Sequence, residues 1–385
     1  MGGSKQVPAE RGLRWMRREV AVGTTPVSAV VQRAETASGA ADRALSWRSL
    51  RAGQLGMSGE LFDLLSEPDV TDVLINGTEA WVDRGSGCQR VELERLSEFD
   101  TRRLAVQMAA AAGQRLDDAS PLVDAFLGDN IRLHAVLPPL SREGPLISLR
   151  VLRRGGYSLT QLVELDTCTP ELGRVLAGLV KNRVSVLISG ATGAGKTTLL
   201  SALLQEVDEA ERIICIEEVS ELFPTHPHVV HLQERQANVE GVGQVTLVEL
   251  VRAALRMRPD RLVLGECRGP EVREVLSALN TGHSGGFTTL HANSLAAVPS
   301  RMVALGQLAG LSKSVLTTQV ATAFQAVVHL GRGSDGQRRV LEVGLLREEN
   351  GLVTAPAWQW SAGEYRAGPA EAQLSALIGE DSLGD

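Results

Sequence analysis

The stretch G-A-T-G-A-G-K-T-T, residues 190–198, follows directly on the apolar run 184–188, and this order constrains the fold more than any other feature of the chain. Gly190, Gly193 and Gly195 let a loop wrap with its amide N–H groups turned inward on an anion. Behind the loop, residues 197–207 (T-T-L-L-S-A-L-L-Q-E-V) combine good helix formers with apolar residues at helical spacing, so a helix N-terminus also faces the anion. The pattern predicts a cradle for the phosphates of a nucleoside triphosphate, built from Gly190, Thr192, Gly193, Ala194, Gly195, Lys196, Thr197 and Thr198. There Lys196 reaches the β- and γ-phosphates, and the Thr197 hydroxyl completes the shell of a Mg²⁺ ion. Lysine is scarce, since only Lys5, Lys181, Lys196 and Lys313 stand against 35 arginines. One of the four occupies the place where a compact ammonium is wanted instead of a planar fork.

Around the loop the sequence alternates between strand and helix. Strands are expected at 212–216, 229–232, 261–264 and 286–290, with helices over 246–256 and 270–279. Such alternation predicts an α/β domain with a mostly parallel sheet, helices on both faces and ligands beyond the carboxyl ends of the strands. A helical stretch over 295–324 and the strands A-V-V-H-L and R-R-V-L-E-V-G-L-L close this domain, leaving an ill-defined tail over 350–385. A smaller α/β domain precedes it, over 53–152. Its signals are the helix-like E-L-F-D-L-L, the strand–turn–strand V-T-D-V-L-I-N-G and W-V-D-R-G-S-G, a helix over 99–112, and the strands I-R-L-H-A-V-L-P-P and P-L-I-S-L-R-V. A linker is expected over 153–168, opening with R-R-G-G-Y-S, and the phosphate-loop domain over 169–349. Residues 1–52 hold nine Lys/Arg against four Asp/Glu and read as a basic, loosely structured arm.

With 385 residues, 43% of them apolar, the chain can build two separate cores. A net charge of −7 and a pI near 5.6 argue against a broad nucleic-acid footprint and favour protein partners. Cys88, Cys168, Cys215 and Cys267 lack C-x-x-C spacing, so neither zinc nor a disulfide framework is indicated, which suits a reducing cytoplasm. No apolar run nears the roughly 18 residues that span a bilayer, so membrane contact is expected to be peripheral.

Hydrolysis also requires a group that orients water. Glu266 follows the apolar strand R-L-V-L-G and should emerge beside the loop, which makes it the candidate catalytic base. Glu217, Glu218 and Glu221, after the strand I-I-C-I, are candidates for positioning the nucleophile or holding Mg²⁺ through water. His291, in T-G-H-S-G-G-F-T-T-L-H-A-N, is a candidate γ-phosphate sensor, and His283 lies in the same segment. Arg132 and Arg150 sit on strands of the first domain, while Arg235, Arg252, Arg256, Arg258 and Arg261 crowd the region before Glu266. An arginine brought to the γ-phosphate by another domain or subunit contributes roughly 10³ to 10⁵ in rate.

Together these segments resemble the secretion ATPase superfamily of type II secretion, type IV pili and type IV secretion, and within it most of all the Tad/Flp pilus assembly ATPases. The likeness is densest in E-P-D-V-T-D-V-L-I-N-G, D-D-A-S-P-L-V-D-A, H-A-V-L-P-P-L, G-A-T-G-A-G-K-T-T, A-L-R-M-R-P-D-R-L-V-L-G-E-C-R-G and N-T-G-H-S-G-G-F-T-T-L-H-A-N-S. The resemblance implies a RecA-like P-loop ATPase domain behind a smaller α/β N-terminal domain. It assigns Lys196 and Thr197 to Walker A, 217–221 to the acidic box, Glu266 to an atypical Walker B and His291 to the histidine box. It further implies ATP and Mg²⁺, with Thr197, Glu217 and Glu221 near the metal, and Arg132 and Arg150 completing the site from the N-terminal domain. A hexameric cytoplasmic ring working against an inner-membrane platform to extrude pilin follows from the same likeness, without direct nucleic-acid contact. Two departures stand out: Glu218 replaces the usual aspartate, and the tetracysteine zinc module of many type II secretion ATPases is missing. The same motor class also serves conjugative DNA transfer and protein secretion, and a nucleotide-gated scaffold without turnover is the alternative from another class.

Overall fold

A computed structural model describes residue 48 and residues 50–379, except 86, 94–95, 129, 153–155, 236, 238–241, 334–335 and 362. The expected basic arm therefore lies almost wholly outside the described residues, as does the opening of the expected linker. The chain divides into two units, 1–153 and 154–385.

In the first unit, burial alternates residue by residue along strands β1 (Asp72–Asn76), β2 (Glu79–Asp83), β4 (Leu122–Leu127), β5 (Ile131–Val136) and β6 (Leu146–Val151), while the edge strand β3 (Cys88–Val91) is mostly exposed. They pair antiparallel in the order β3-β2-β1-β6-β5-β4. Val73, Ile75, Leu133 and Leu149 join Leu61 and Leu65 of α1 (Gly59–Ser66) and Met108 of α2 (Glu98–Ala111) in one core. The period of two sends Arg132 and Arg150 to the other face, where they are cross-strand partners. Strand β4 was not anticipated, because Pro121 and Asp124 mask the apolar alternation of Val123, Ala125 and Leu127.

The second unit is built differently. Strands β7 (Val186–Gly190), β8 (Ile213–Glu217), β9 (Val229–Gln233), β10 (Arg261–Leu264), β11 (Phe287–Leu290) and β12 (Ala326–Arg332) form the parallel run β12-β7-β11-β10-β8-β9. Neighbouring residues feed opposite cores. Val186, Ile188, Ile213, Cys215 and Val263 pack on one side, and Leu187, Ile214, Ile216, Leu262 and Leu264 on the other. Burial of both faces explains why these strands read as continuous apolar runs. On the first side lie α3 (Leu159–Glu164), α4 (Pro170–Lys181) and α5 (Lys196–Gln205); on the second, α6 (Leu247–Ala254), α7 (Val272–Asn280), α8 (Val298–Leu308) and α9 (Lys313–Ala323).

Three expectations change. The helical stretch over 295–324 is broken, because Gly310 takes a left-handed φ of 74° after α8 and Ser312 caps a new helix by accepting from the Val315 amide. The expected strand R-R-V-L-E-V-G-L-L is β13 (Arg338–Glu348), and the supposed tail after 350 is sheet and helix: β14 (Leu352–Ser361) and β15 (Glu364–Ala367) extend the sheet antiparallel beyond it, and α10 (Glu371–Ile378) follows. Ala357, Ala370, Leu374 and Ile378 belong to the core, which is why this segment is ordered. Most of the expected linker is core as well, since Leu159, Leu162 and Cys168 are buried in the same cluster.

Candidate functional site

The carboxyl ends of the parallel strands carry Lys196, Glu217, Glu266 and His291 in the second unit. Strand β7 ends at Gly190, whose added Cβ would lie 2.5 Å from the Leu330 carbonyl oxygen of β12, so the loop can pass only as glycine. Gly193 (φ 72°) and Gly195 (φ 99°) take left-handed conformations that turn the loop into α5. Gly195 is the N-cap of that helix and makes no side-chain cap bond, leaving its first amides for an anion.

Lys196 begins α5 and is 8% exposed. Its ammonium donates to the carbonyls of Gly190 and Ala191, each at 3.0 Å, and lies 3.4 Å from Nδ1 of His291. Burial pushes the Lys196 ammonium below its ordinary value, against the pull of the Glu266 carboxylate. His291 follows β11, and its Nε2 is 2.7 Å from Glu266 Oε1, although the pair is not aligned as a hydrogen bond. Burial lowers the His291 imidazole, Glu266 opposes this, and the cations Lys196 and Arg268 lower it further. A neutral ring that accepts at Nδ1 and carries its proton on Nε2 suits both neighbours. Glu266, one residue past Gly265 at the end of β10, also pairs through Oε2 with Arg268 Nη2 at 2.6 Å.

Glu217 closes β8 and is 4% exposed. Its Oε1 accepts from the backbone amides of Glu221 (3.0 Å) and Leu222 (3.1 Å), while Oε2 is buried without a partner. Burial outweighs those two bonds and raises the carboxyl to about 8. The side chain lies against Gly265, where an added Cβ would be 2.7 Å from Glu217 Cγ. Glu221 acts on Lys196 through its charge.

The expected metal set does not converge as a cage. Among the described residues no three His, Cys, Asp or Glu side chains form a metal-holding group, and Glu217 already uses one oxygen on backbone amides. With no such cage, the residues present fit only a cation whose shell is completed mostly by water and substrate oxygens.

The arginines divide as follows. Arg132 grips Asp124 with Nε at 3.1 Å and Nη2 at 2.7 Å, and Arg150 Nε donates to Asp72 at 2.8 Å; both belong to the first unit. Arg252 pairs with Glu274 between helices, and Arg261 is buried at the start of β10, away from its carboxyl end. Arg268, at the site, was not singled out from sequence, although its position two residues after Glu266 past a strand end was a usable signal. His283 contacts the Ala278 carbonyl at 3.3 Å, close to the end of α7, and is not joined to Glu266 or Lys196. Unforeseen too is His329, buried on β12, whose Nδ1 lies 2.9 Å from Ser189 Oγ just before the loop.

The sequence profile described as Type II/IV secretion system protein matches residues 77–354. The chain belongs to that family. Membership places it among the secretion ATPases, for which nucleotide binding is general. A protein of Mycobacterium tuberculosis named "Putative conjugal transfer protein" is 48% identical over 309 residues, covering 78% of this chain and 88% of that one. The type IV secretion system protein VirB11 of Brucella suis is 32% identical over 256 residues, covering 60% of this chain and 71% of the relative. In fold, this secretion ATPase is similar to the pilus retraction motor PilT with bound ADP, at TM-score 0.54 and 20% identity over 84% of this chain and 86% of that one. The ATPase DotB of Legionella pneumophila gives TM-score 0.50 and 20% identity over 74% of this chain and 79% of that one. The larger unit is thus RecA-like. Among the described residues no helix is long and apolar enough to cross a membrane.

Proposed function

We propose that the chain hydrolyses ATP to drive the export or assembly of macromolecules through a membrane platform, as a ring of identical subunits. The observation that carries this reading is the chain of contacts Lys196–His291–Glu266 beside a phosphate loop, which joins the group that holds phosphate to the group that handles water. A scaffold that only binds nucleotide has no use for that carboxylate.

In this reading the loop amides from Gly190 to Thr198 hold the β- and γ-phosphates, and the Lys196 ammonium exchanges the carbonyls of Gly190 and Ala191 for phosphate oxygens. Glu266 orients a water and accepts its proton as the water oxygen bonds to the γ-phosphorus and the bond to the β–γ bridging oxygen breaks, leaving ADP and phosphate. His291 carries the change at the phosphate to Glu266. A Mg²⁺ ion held by Thr197, with Glu217 or Glu221 through water, would neutralise charge on the phosphates. Glu217 ties the 217–222 turn to Gly265 and so to the neighbour of Glu266.

We infer pilus subunits of the Tad/Flp type as the cargo, from the motif likeness given above. Conjugal transfer is the second reading, favoured by the name of the 48% identical relative. In either case the protein works at the cytoplasmic membrane surface. The test is ATP hydrolysis across a protein concentration series with particle mass followed by light scattering. Turnover that rises with assembly into a six-fold particle supports the motor; binding without turnover, alone or with membrane platform protein added, would overturn it.

A further inference from the structure

The acidic segment after β8 and the carboxylate after β10 share one cation. Arg268 places Nη2 2.6 Å from Glu266 Oε2 and donates from Nη1 to Glu218 Oε2 at 3.1 Å. An exposed arginine with a single carboxylate contributes little. Here one planar fork spans two carboxylates that follow different strands, a geometry that a lysine ammonium cannot reproduce. The backbone beneath it is held as well. The amides of Arg268 and Gly269 both donate to Glu271 Oε1, each at 2.7 Å, and Glu271 is 4% exposed. A buried carboxylate therefore fixes the turn that presents the guanidinium.

On its other side Glu266 faces His291 without an aligned hydrogen bond, so the contact with Arg268 is what sets the orientation of its carboxylate. Glu218 supplies the alternative partner toward which the guanidinium can turn. Aspartate at 218, one methylene shorter, would fall short of a donor that glutamate meets at 3.1 Å.

We propose that Arg268 is a positioning residue that aims the Glu266 carboxylate at the attacking water, and that Glu218 acts through Arg268 by competing for its guanidinium. This rests on the ATPase reading. The experiment measures Mg-ATP hydrolysis, affinity for a fluorescent ATP analogue and the thermal unfolding midpoint for the full chain and for R268Q, E218Q, E218D, E266Q and the double variant R268Q/E218Q. R268Q is expected to lower kcat by up to about 10²-fold, the scale of a misaimed reacting group, with nucleotide affinity and unfolding midpoint unchanged. E218Q and E218D lower kcat by a smaller and equal factor, and E218Q adds nothing in the R268Q background. If R268Q unfolds early, R268K must give the same fall in kcat, since it keeps the charge and loses the fork. Full turnover by R268Q beside an inactive E266Q, independent multiplication of the two effects, or a parallel loss of affinity and kcat would overturn the inference alone. Absence of turnover by the unsubstituted chain would overturn the ATPase reading and this inference with it.

Discussion

The two ends of the parallel sheet both bury charge, and they treat it in opposite ways. At the amino end of β10, Arg261 is 1% exposed and every guanidinium nitrogen has an acceptor: it pairs with Glu211 and donates to the carbonyls of Val180 and Gly285 at 2.9 and 3.3 Å. Burial pushes the Glu211 carboxyl up, but the hydrogen bonds of Arg261 and Arg183 outweigh it and leave the group below the ordinary carboxylate range. At the carboxyl end, Lys196 leans on backbone carbonyls, His291 faces two partners, Arg268 divides its fork, and Glu217 keeps a buried oxygen without a partner. One end is a finished network that holds helix and strand together. The other can trade its partners, which a site that must grip and release an anion requires.

Substitutions can break or sharpen this contrast. The largest effect is expected for K196A, which should abolish turnover and weaken ATP binding; wild-type affinity in a titration would show that the lysine is not at the phosphates. E266Q should lower kcat by roughly 10² to 10⁴ while leaving ATP affinity near wild type, as loss of a general base requires. R261A, at the finished end, should instead cost on the order of 2–3 kcal/mol in chemical denaturation, because the buried guanidinium that joins Glu211 to the Val180 and Gly285 carbonyls is lost, while Arg183 still pairs with Glu211. Whatever R261A remains folded should hydrolyse ATP at the normal kcat, and a lowered kcat in that fraction would merge the two ends.

E217Q gives the subtlest effect, and it has a sign. The folded state holds the Glu217 proton to about 8 while the unfolded chain releases it near 4.5, so the native state binds more protons over that range. Stability associated with Glu217 is therefore lost progressively as pH rises from 4.5 to about 8 and stays lost above it. Relative to wild type, E217Q should be more stable at about pH 8 than at about pH 5 in thermal unfolding. An equal difference at both would mean the carboxyl is not proton-bound in the fold.

Much of this was legible in the sequence because the signals are local. The phosphate loop, its helix, the apolar runs of β7, β8 and β10, and the strand-end places of Glu217, Glu266 and His291 depend on residues within a few positions of one another. Arg268 was harder, since a guanidinium two residues past a strand end looks like any surface charge until Glu218, fifty positions earlier, meets it. Strand β14 and helix α10 carry no local signal, because their apolar residues have meaning only against the face of α4 and the end of the sheet they cover. His329 gave no local sign; its value comes from β12 lying beside β7.

By itself the sequence determined that this chain binds a polyphosphate and that carboxylates, a histidine and a lysine sit at strand ends, since loop glycines and strand periods follow from local sterics. Only the tertiary structure decided which of these groups share partners. Strand order brings β10, β11 and β7 side by side, and the sheet's parallel register delivers Lys196, His291 and Glu266 to one edge from positions that no local pattern connects. The same order left Arg261 at the opposite edge, where an acceptor at every guanidinium nitrogen makes it a structural residue.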